Sequence, residues 1–312
     1  MRWKTKARIQ NTVSLLPSGV SNFVYYKIQR HLGGLKQFDP ASRFRAATKI
    51  WSLIKSNRCD PVGKVFFEVG TGWAPAIPMA YWLMGAAKTT TVDLNRYLKR
   101  ELIADTIKYI KSREMEIHEI FGAAINQDRL QTLMKVNTRS KFLDFEFMDM
   151  CGIHYIAPID AANTELENES IDFHTSYTVF EHITPSALGK IIAEGNRITK
   201  QDGLFVNLVD YSDHFSHGDR SISKINFLQY SDTQWSQYAG NSFMYMNRLR
   251  HDDFTGLFES CGHRILSVET HTDHRSQMEL TAMDFHLDRR FMTKPHDVLS
   301  VTSSWFVTQK QY

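Results

Sequence analysis

At 312 residues, with 42% hydrophobic composition and a net charge of +3, the chain is long enough to bury a full core as one decorated domain rather than two equal ones. Cys59, Cys151 and Cys261 are too few and too widely spaced for a disulfide framework or a metal knuckle, and they read as reduced thiols. No apolar run reaches membrane-spanning length and no signal-peptide core follows Met1–Gln10, so a soluble cytoplasmic protein is expected.

The charge is unevenly spread. Residues 1–64 carry 13 Lys/Arg against Asp39 and Asp60, a local +11 that leaves −8 for the rest of a chain totalling +3. Apolar residues at 20, 24, 28 and 32 predict a helix stopped by Gly33-Gly34. Phe44, Ala47, Trp51 and Ile54 predict a second helix over 42–56. Residues 1–63 thus form a basic helical extension. It reads either as helices packed on a sheet edge, or as a lid that meets an anionic or membrane surface.

The next stretch organises the rest. Val65, Phe66, Phe67 and Val69 form a short apolar strand that carries Glu68 and breaks into the turn Gly70-Thr71-Gly72-Trp73. Both glycines can take positive φ and let a ligand approach the backbone. A helix is predicted over 74–84, with Pro75 and Pro78 in its first turn. A second strand over 87–94 carries Asp93, placed to accept ribose hydroxyls. One long helix is predicted over 97–121, a third strand over Phe142–Met150 with Asp149 and Met150 at its end, and a fourth over Ser170–Tyr177. A helix over 185–199, opened by Thr184-Pro185, leads to a fifth strand over 203–210. Residues 211–250 are aromatic and polar, without sustained period, and read as a substrate cap insert. A helix over 251–261, a strand over 264–270, a helix over 277–290 and a strand over 298–308 complete the chain.

The blocks E-V-G-T-G (68–72), V-D-L-N (92–95) and S-I-D-F-H-T-S-Y-T-V-F-E-H-I-T-P (170–185) together resemble the class I S-adenosylmethionine-dependent methyltransferases, over about residues 64–262. The resemblance implies an α/β, Rossmann-like, seven-stranded, mostly parallel sheet with helices on both faces. It implies the strand order 3-2-1-4-5-7-6 with strand 7 antiparallel, and a methyltransferase domain over 64–312. It also implies S-adenosyl-L-methionine as cofactor. Glu68, Gly70 and Gly72 would then face its methionine end and Asp93 its ribose. Asp149 and Met150 would meet its adenine, and Tyr177 would stand on the same rim.

An NAD(P)-dependent oxidoreductase is the competing enzyme class. Pro75 stands where a dinucleotide fingerprint wants a small residue, and Glu68 would repel a pyrophosphate. A non-catalytic methyltransferase-like scaffold acting through its basic arm is the non-enzyme alternative. Specific nucleic-acid binding is not expected, since no recognised module or Asn-Pro-Pro-Tyr motif is present.

For acceptor chemistry the insert supplies Asp213-His214-x-x-His217 after the fifth strand. His214 is the leading general base and His217 the second, with Asp210 or Asp213 orienting the ring. A metal on Asp213, His214 and His217 is the lesser reading, and the leading reading needs none. Glu181-His182 falls on the same strand-end rim and reads either as part of the site or as a helix-capping, core-satisfying pair. The expected acceptor is a small molecule or glycan methylated at oxygen. Its identity, and the oligomeric state, are not encoded in these motifs.

Overall fold

The computed structural model describes residues 1–36, 38–138, 145–282 and 285–311. Three helices open the chain: α1 (Trp3–Ser14), α2 (Ser18–Leu32) and α3 (Ala41–Ser56). An alternating stretch follows: β1 (Val65–Val69), α4 (Ala76–Leu83), β2 (Lys88–Val92), α5 (Arg100–Ser112), α6 (Glu114–Phe121), α7 (Gln127–Lys135), α8 (Phe145–Met150), β3 (Ile153–Ile156), β4 (Ile171–Tyr177), α9 (Pro185–Ile198) and β5 (Thr199–Asp210). The remainder comprises α10 (Asp232–Ala239), α11 (His251–Ser260), β6 (His263–Thr272), α12 (His274–Thr281), α13 (His296–Ser300) and β7 (Val301–Lys310).

The strands form one seven-stranded sheet in the order β3-β2-β1-β4-β5-β7-β6. Pairings among β1 to β5 are parallel, and β7 runs antiparallel to both β5 and β6. This is the strand order that the resemblance implies. β1 is central because its Phe66 and Phe67 are apolar on both faces, as a strand covered on two sides requires. Phe66 stacks on Tyr81 of α4 at 4.3 Å and on Trp51 of α3 at 5.8 Å. Removing that ring would cost about 3–5 kcal/mol. Phe67 faces the opposite layer, built from α9 and α11 through Leu188, Ile192, Phe254 and Phe258.

Several elements depart from the sequence reading. The helix expected over 97–121 is two, α5 and α6, broken at Arg113 with φ −132°. The third strand is Ile153–Ile156 rather than Phe142–Met150. Of that predicted strand, residues 142–144 lie outside the described residues, and Phe145–Met150 is the helix α8. The helix expected over 277–290 is the shorter His274–Thr281; residues 283 and 284 lie outside the described residues.

The three N-terminal helices have separate jobs. α3 is core: Phe44, Ala47, Ile50 and Ile54 are fully buried against the sheet layer. α1 and α2 instead meet the insert. Trp3 is buried among Phe215, Tyr230, Trp235 and Tyr238, and its backbone N–H donates to Asp219 at 2.7 Å. Tyr25 of α2 stacks on Phe243 at 4.0 Å. Arg248 and Arg250 hold the insert to the sheet. Arg250 is fully buried and donates to the carbonyls of Tyr211, Leu299 and Val301 at 2.6–2.7 Å. Arg248 donates to those of Phe227 and Tyr230 and pairs with Asp232.

Candidate active site

A cavity of about 400 Å³ lies outside the carboxyl ends of β1, β2 and β4, where open α/β sheets bind ligands. The turn after β1 and the ends of the neighbouring strands form its floor; residues from α2, α3 and the insert roof it. Gly70 takes φ +87° and Gly72 φ +70°. A Cβ on Gly70 would fall 2.5 Å from Val179, so only glycine fits between the turn and the segment after β4. Gly70 N–H donates to Val92 O at 2.9 Å, which ties the turn to β2.

Two carboxylates lie on that floor. Register sets Glu68 beside Thr91 of β2 and Thr175 of β4. Its Oε2 accepts from the Thr91 hydroxyl at 2.6 Å, and Thr91 in turn meets the Thr71 hydroxyl. Burial pushes the Glu68 pKa up to about 8, against the pull of Thr91 and the Arg43 guanidinium. Asp93, just past β2, accepts from Gly72 N–H at 3.1 Å. Burial raises its pKa to about 7, the Gly72 amide opposing. Its backbone is clamped by Ile156 O and Ile159 N. Two buried acids whose hydrogen bonds do not offset their burial make a cavity that favours a cation.

Tyr177 closes β4 and lines the cavity, its phenol pKa raised by burial. Aromatic walls come from Trp73, Tyr97 and Phe38. Trp73 lies 4.9 Å from Tyr26 and 5.5 Å from Tyr97, with Lys99 over its ring. Arg43 of α3 also lines the cavity, and its guanidinium pulls the pKa values of Glu68 and Tyr177 down. Sequence reasoning missed it, because one arginine on a basic helix face carries no distinguishing pattern.

Asp149 and Met150 are a correction. They belong to α8, which precedes β3 and therefore lies at the amino ends of the strands, and Asp149 is exposed. Neither lines the cavity. The third strand ends at Ile156 rather than at Met150, so its carboxyl end is followed by 157–161 instead.

The acceptor-side residues gather at the end of β5. His214 Nε2 lies 3.4 Å from Asp210 Oδ2, and His217 Nε2 lies 3.9 Å from the same oxygen. His217 Nε2 also meets the Ser212 hydroxyl at 2.9 Å. Burial would raise the Asp210 pKa, but His214 and Ser212 overcome it and hold it at about 2. Asp210 and His217 line a second cavity of about 210 Å³, with Tyr177 and Thr178 shared between the two. Asp213 is a second correction. Its fully buried carboxylate accepts from Asn226 Nδ2 at 2.8 Å and from Phe215 N–H at 2.9 Å, so it braces the insert instead of backing either histidine. That also removes it from the metal set weighed on sequence spacing.

Glu181 and His182 come to the same place from the other side. The rings of His182 and His214 lie 4.9 Å apart. His182 Nδ1 donates to Tyr245 O at 2.8 Å, and burial with the nearby His214 lowers its pKa to about 4. Glu181 is buried with neither carboxylate oxygen hydrogen-bonded among the described residues.

No family model and no curated protein matches the chain. Solved structures do. A S-adenosylmethionine-dependent methyltransferase from Methanosarcina mazei is 14% identical over 82% of this chain and 96% of its own, with a TM-score of 0.44. The 1,6-didemethyltoxoflavin-N1-methyltransferase of Burkholderia thailandensis, solved with S-adenosylhomocysteine, is 12% identical over 93% and 87%, at 0.45. The magnesium protoporphyrin IX methyltransferase of Synechocystis, also with S-adenosylhomocysteine, is 8% identical over 86% and 83%, at 0.42. These are likenesses of fold. Among the described residues no helix is long and apolar enough to cross a membrane.

Proposed function

We propose that the chain is an S-adenosylmethionine-dependent methyltransferase that acts on a small molecule, most simply at oxygen. One observation carries the reading. The cavity floor joins a positive-φ glycine turn to two buried carboxylates, Glu68 and Asp93, whose raised pKa values a cationic, hydroxyl-bearing ligand would relieve. Glu68 would face the ammonium and Arg43 the carboxylate of the methionine end. Asp93 would take the ribose hydroxyls, and Trp73 and Tyr97 would enclose the remainder. When bound, the cofactor supplies a sulfonium methyl group for in-line transfer to the acceptor.

The chain's own part is alignment, exclusion of water and removal of a proton. Tyr177 and Thr178 stand between the two cavities, and the acceptor is proposed to enter from the side of Asp210 and His217. His214, with Asp210 beside it, would take the proton of an acceptor hydroxyl. His217 lies close enough to assist. Cytoplasmic residence belongs to the same reading and is supported by three free cysteines.

Glu68 favours this reading over a dinucleotide-dependent oxidoreductase, because an ammonium draws out the charged form of this buried acid whereas a pyrophosphate would hold it protonated. Calorimetry with S-adenosylhomocysteine and with NAD as separate titrants tests it. Heat with the first alone is expected; heat with NAD alone would overturn the assignment. Transfer of labelled methyl groups into fractionated cell extract then identifies the acceptor.

A further inference from the structure

We infer that Glu181, His182 and His214 bind a divalent first-row transition-metal ion at the boundary between the two cavities. Each offers a ligand atom, and the three atoms lie within 4.8 Å of one another. Ligands about 2.0–2.2 Å from a common ion stand roughly 3–3.5 Å apart, so closure needs about an ångström of side-chain movement.

An independent observation points to a missing ligand. Glu181 is 2% exposed, and both of its oxygens lack a hydrogen-bond partner among the described residues. A buried carboxylate without donors is costly unless protonated or bound to a cation. His214 Nε2 is buried too, with Asp210 Oδ2 beside it at 3.4 Å. The histidine geometry is prepared as well. Tyr245 O can only accept, so His182 must carry its proton on Nδ1, which leaves the Nε2 lone pair free. Metal-binding histidines are commonly oriented by such a second contact. Asp210, 3.4 Å from His214, can add an oxygen ligand or orient the ring.

Two imidazoles with one or two carboxylates suit Mn²⁺, Fe²⁺, Co²⁺ or Zn²⁺ better than Mg²⁺ or Ca²⁺, which favour oxygen ligands. His182 lines the large cavity and Asp210 the small one. An ion between them would reach an acceptor carrying a hydroxyl or carboxylate oxygen, holding it next to the methyl donor. This deepens the methyltransferase reading and rests on it for the acceptor's position. In the loaded protein His214 holds the ion, and His217, 3.9 Å from Asp210, is the histidine left to take the acceptor's proton.

The test uses the full chain stripped with EDTA and then dialysed. Titration with Mn²⁺ followed by EPR, and with Co²⁺ followed by its visible absorption, is expected to give one equivalent bound. The Co²⁺ spectrum should be that of nitrogen and oxygen ligands, and excess Mg²⁺ should not displace the ion. Glu181→Gln and His214→Ala are each expected to weaken binding at least about thirtyfold. Mn²⁺ should raise the melting temperature of the parent and leave that of Glu181→Gln unchanged. Without metal, Glu181→Gln should be no less stable than the parent, because it removes an unpaired buried acid. Failure of the folded parent to take up Mn²⁺, Co²⁺ and Zn²⁺, or equal uptake by both variants, overturns the site. S-adenosylhomocysteine binding by the stripped protein keeps the two proposals distinct. Binding of that ligand without metal uptake sinks only the metal site, whereas metal uptake without that ligand sinks the cofactor assignment.

Discussion

The floor of the large cavity and the cluster at the end of β5 are built in opposite ways. The floor comes from two short stretches, 68–73 and 91–93, whose residues are set side by side by strand register. The cluster draws Glu181 and His182 from after β4, Asp210 from the tip of β5 and His214 and His217 from the insert, and its order depends on aromatic packing and buried arginines elsewhere. The floor is therefore rigid and suited to an invariant ligand. The cluster can change with the insert, as a site for a variable acceptor would.

Substitutions should separate these two regions. The largest effect is expected for His214→Ala, a loss of about 10²–10⁴ in kcat with little change in S-adenosylhomocysteine affinity, as steady-state rates and calorimetry would show. An unchanged kcat would place the acceptor chemistry elsewhere. Gly70→Ala combines positive φ with a Cβ 2.5 Å from Val179, and should cost about 2–4 kcal/mol in denaturant unfolding as well as cofactor binding. Asp93→Ala should weaken cofactor binding by about 10–100-fold, the value of one or two charge-assisted hydrogen bonds, while leaving the His214 cluster and its turnover per bound cofactor intact.

The smallest effect is a pH dependence confined to the floor. Glu68 and Asp93, at about 8 and about 7, are largely protonated at pH 6 in the free protein. The ammonium of S-adenosylhomocysteine must expel the Glu68 proton, so affinity should rise by about fivefold between pH 7 and pH 8 and level off above about pH 9. Calorimetry in buffers of different ionisation heat should register the protons released. Both folded pKa values exceed their unfolded ones, so these groups contribute stability below about pH 4 that is lost as pH rises through 7 and 8. The free protein should accordingly melt lower at pH 8.5 than at pH 6, and Glu68→Gln should flatten both trends.

The same contrast explains what could be read beforehand. Val65 to Trp73 specify strand, turn and floor through nearest-neighbour chemistry, so Glu68, Gly70, Gly72 and Asp93 were legible as one group. The strand after α8 was not. Phe142–Met150 has strand-like apolar residues, but the later Ile153–Ile156 pairs with Thr89–Val92 and takes the edge of the sheet. Asp149 moved to the other rim as a consequence. In the insert, Ser231 and Gln234 form a capping box for α10, a local S-x-x-Q signal that the absence of apolar period concealed. Asp213 and His214 are adjacent in sequence, yet one faces Asn226 and the other Asp210. No spacing rule reveals that. Glu181 and His182 were visible as a pair, but their meeting with His214 depends on tertiary packing.

The docking of Trp3 onto Asp219 joins positions 216 residues apart. During synthesis the first helix emerges long before the rings that will cover it exist, so its indole must wait in solvent or on a chaperone. Ribosome-bound chains stalled before residue 215 should thus be cleaved by protease near Trp3, and those released beyond 245 should resist.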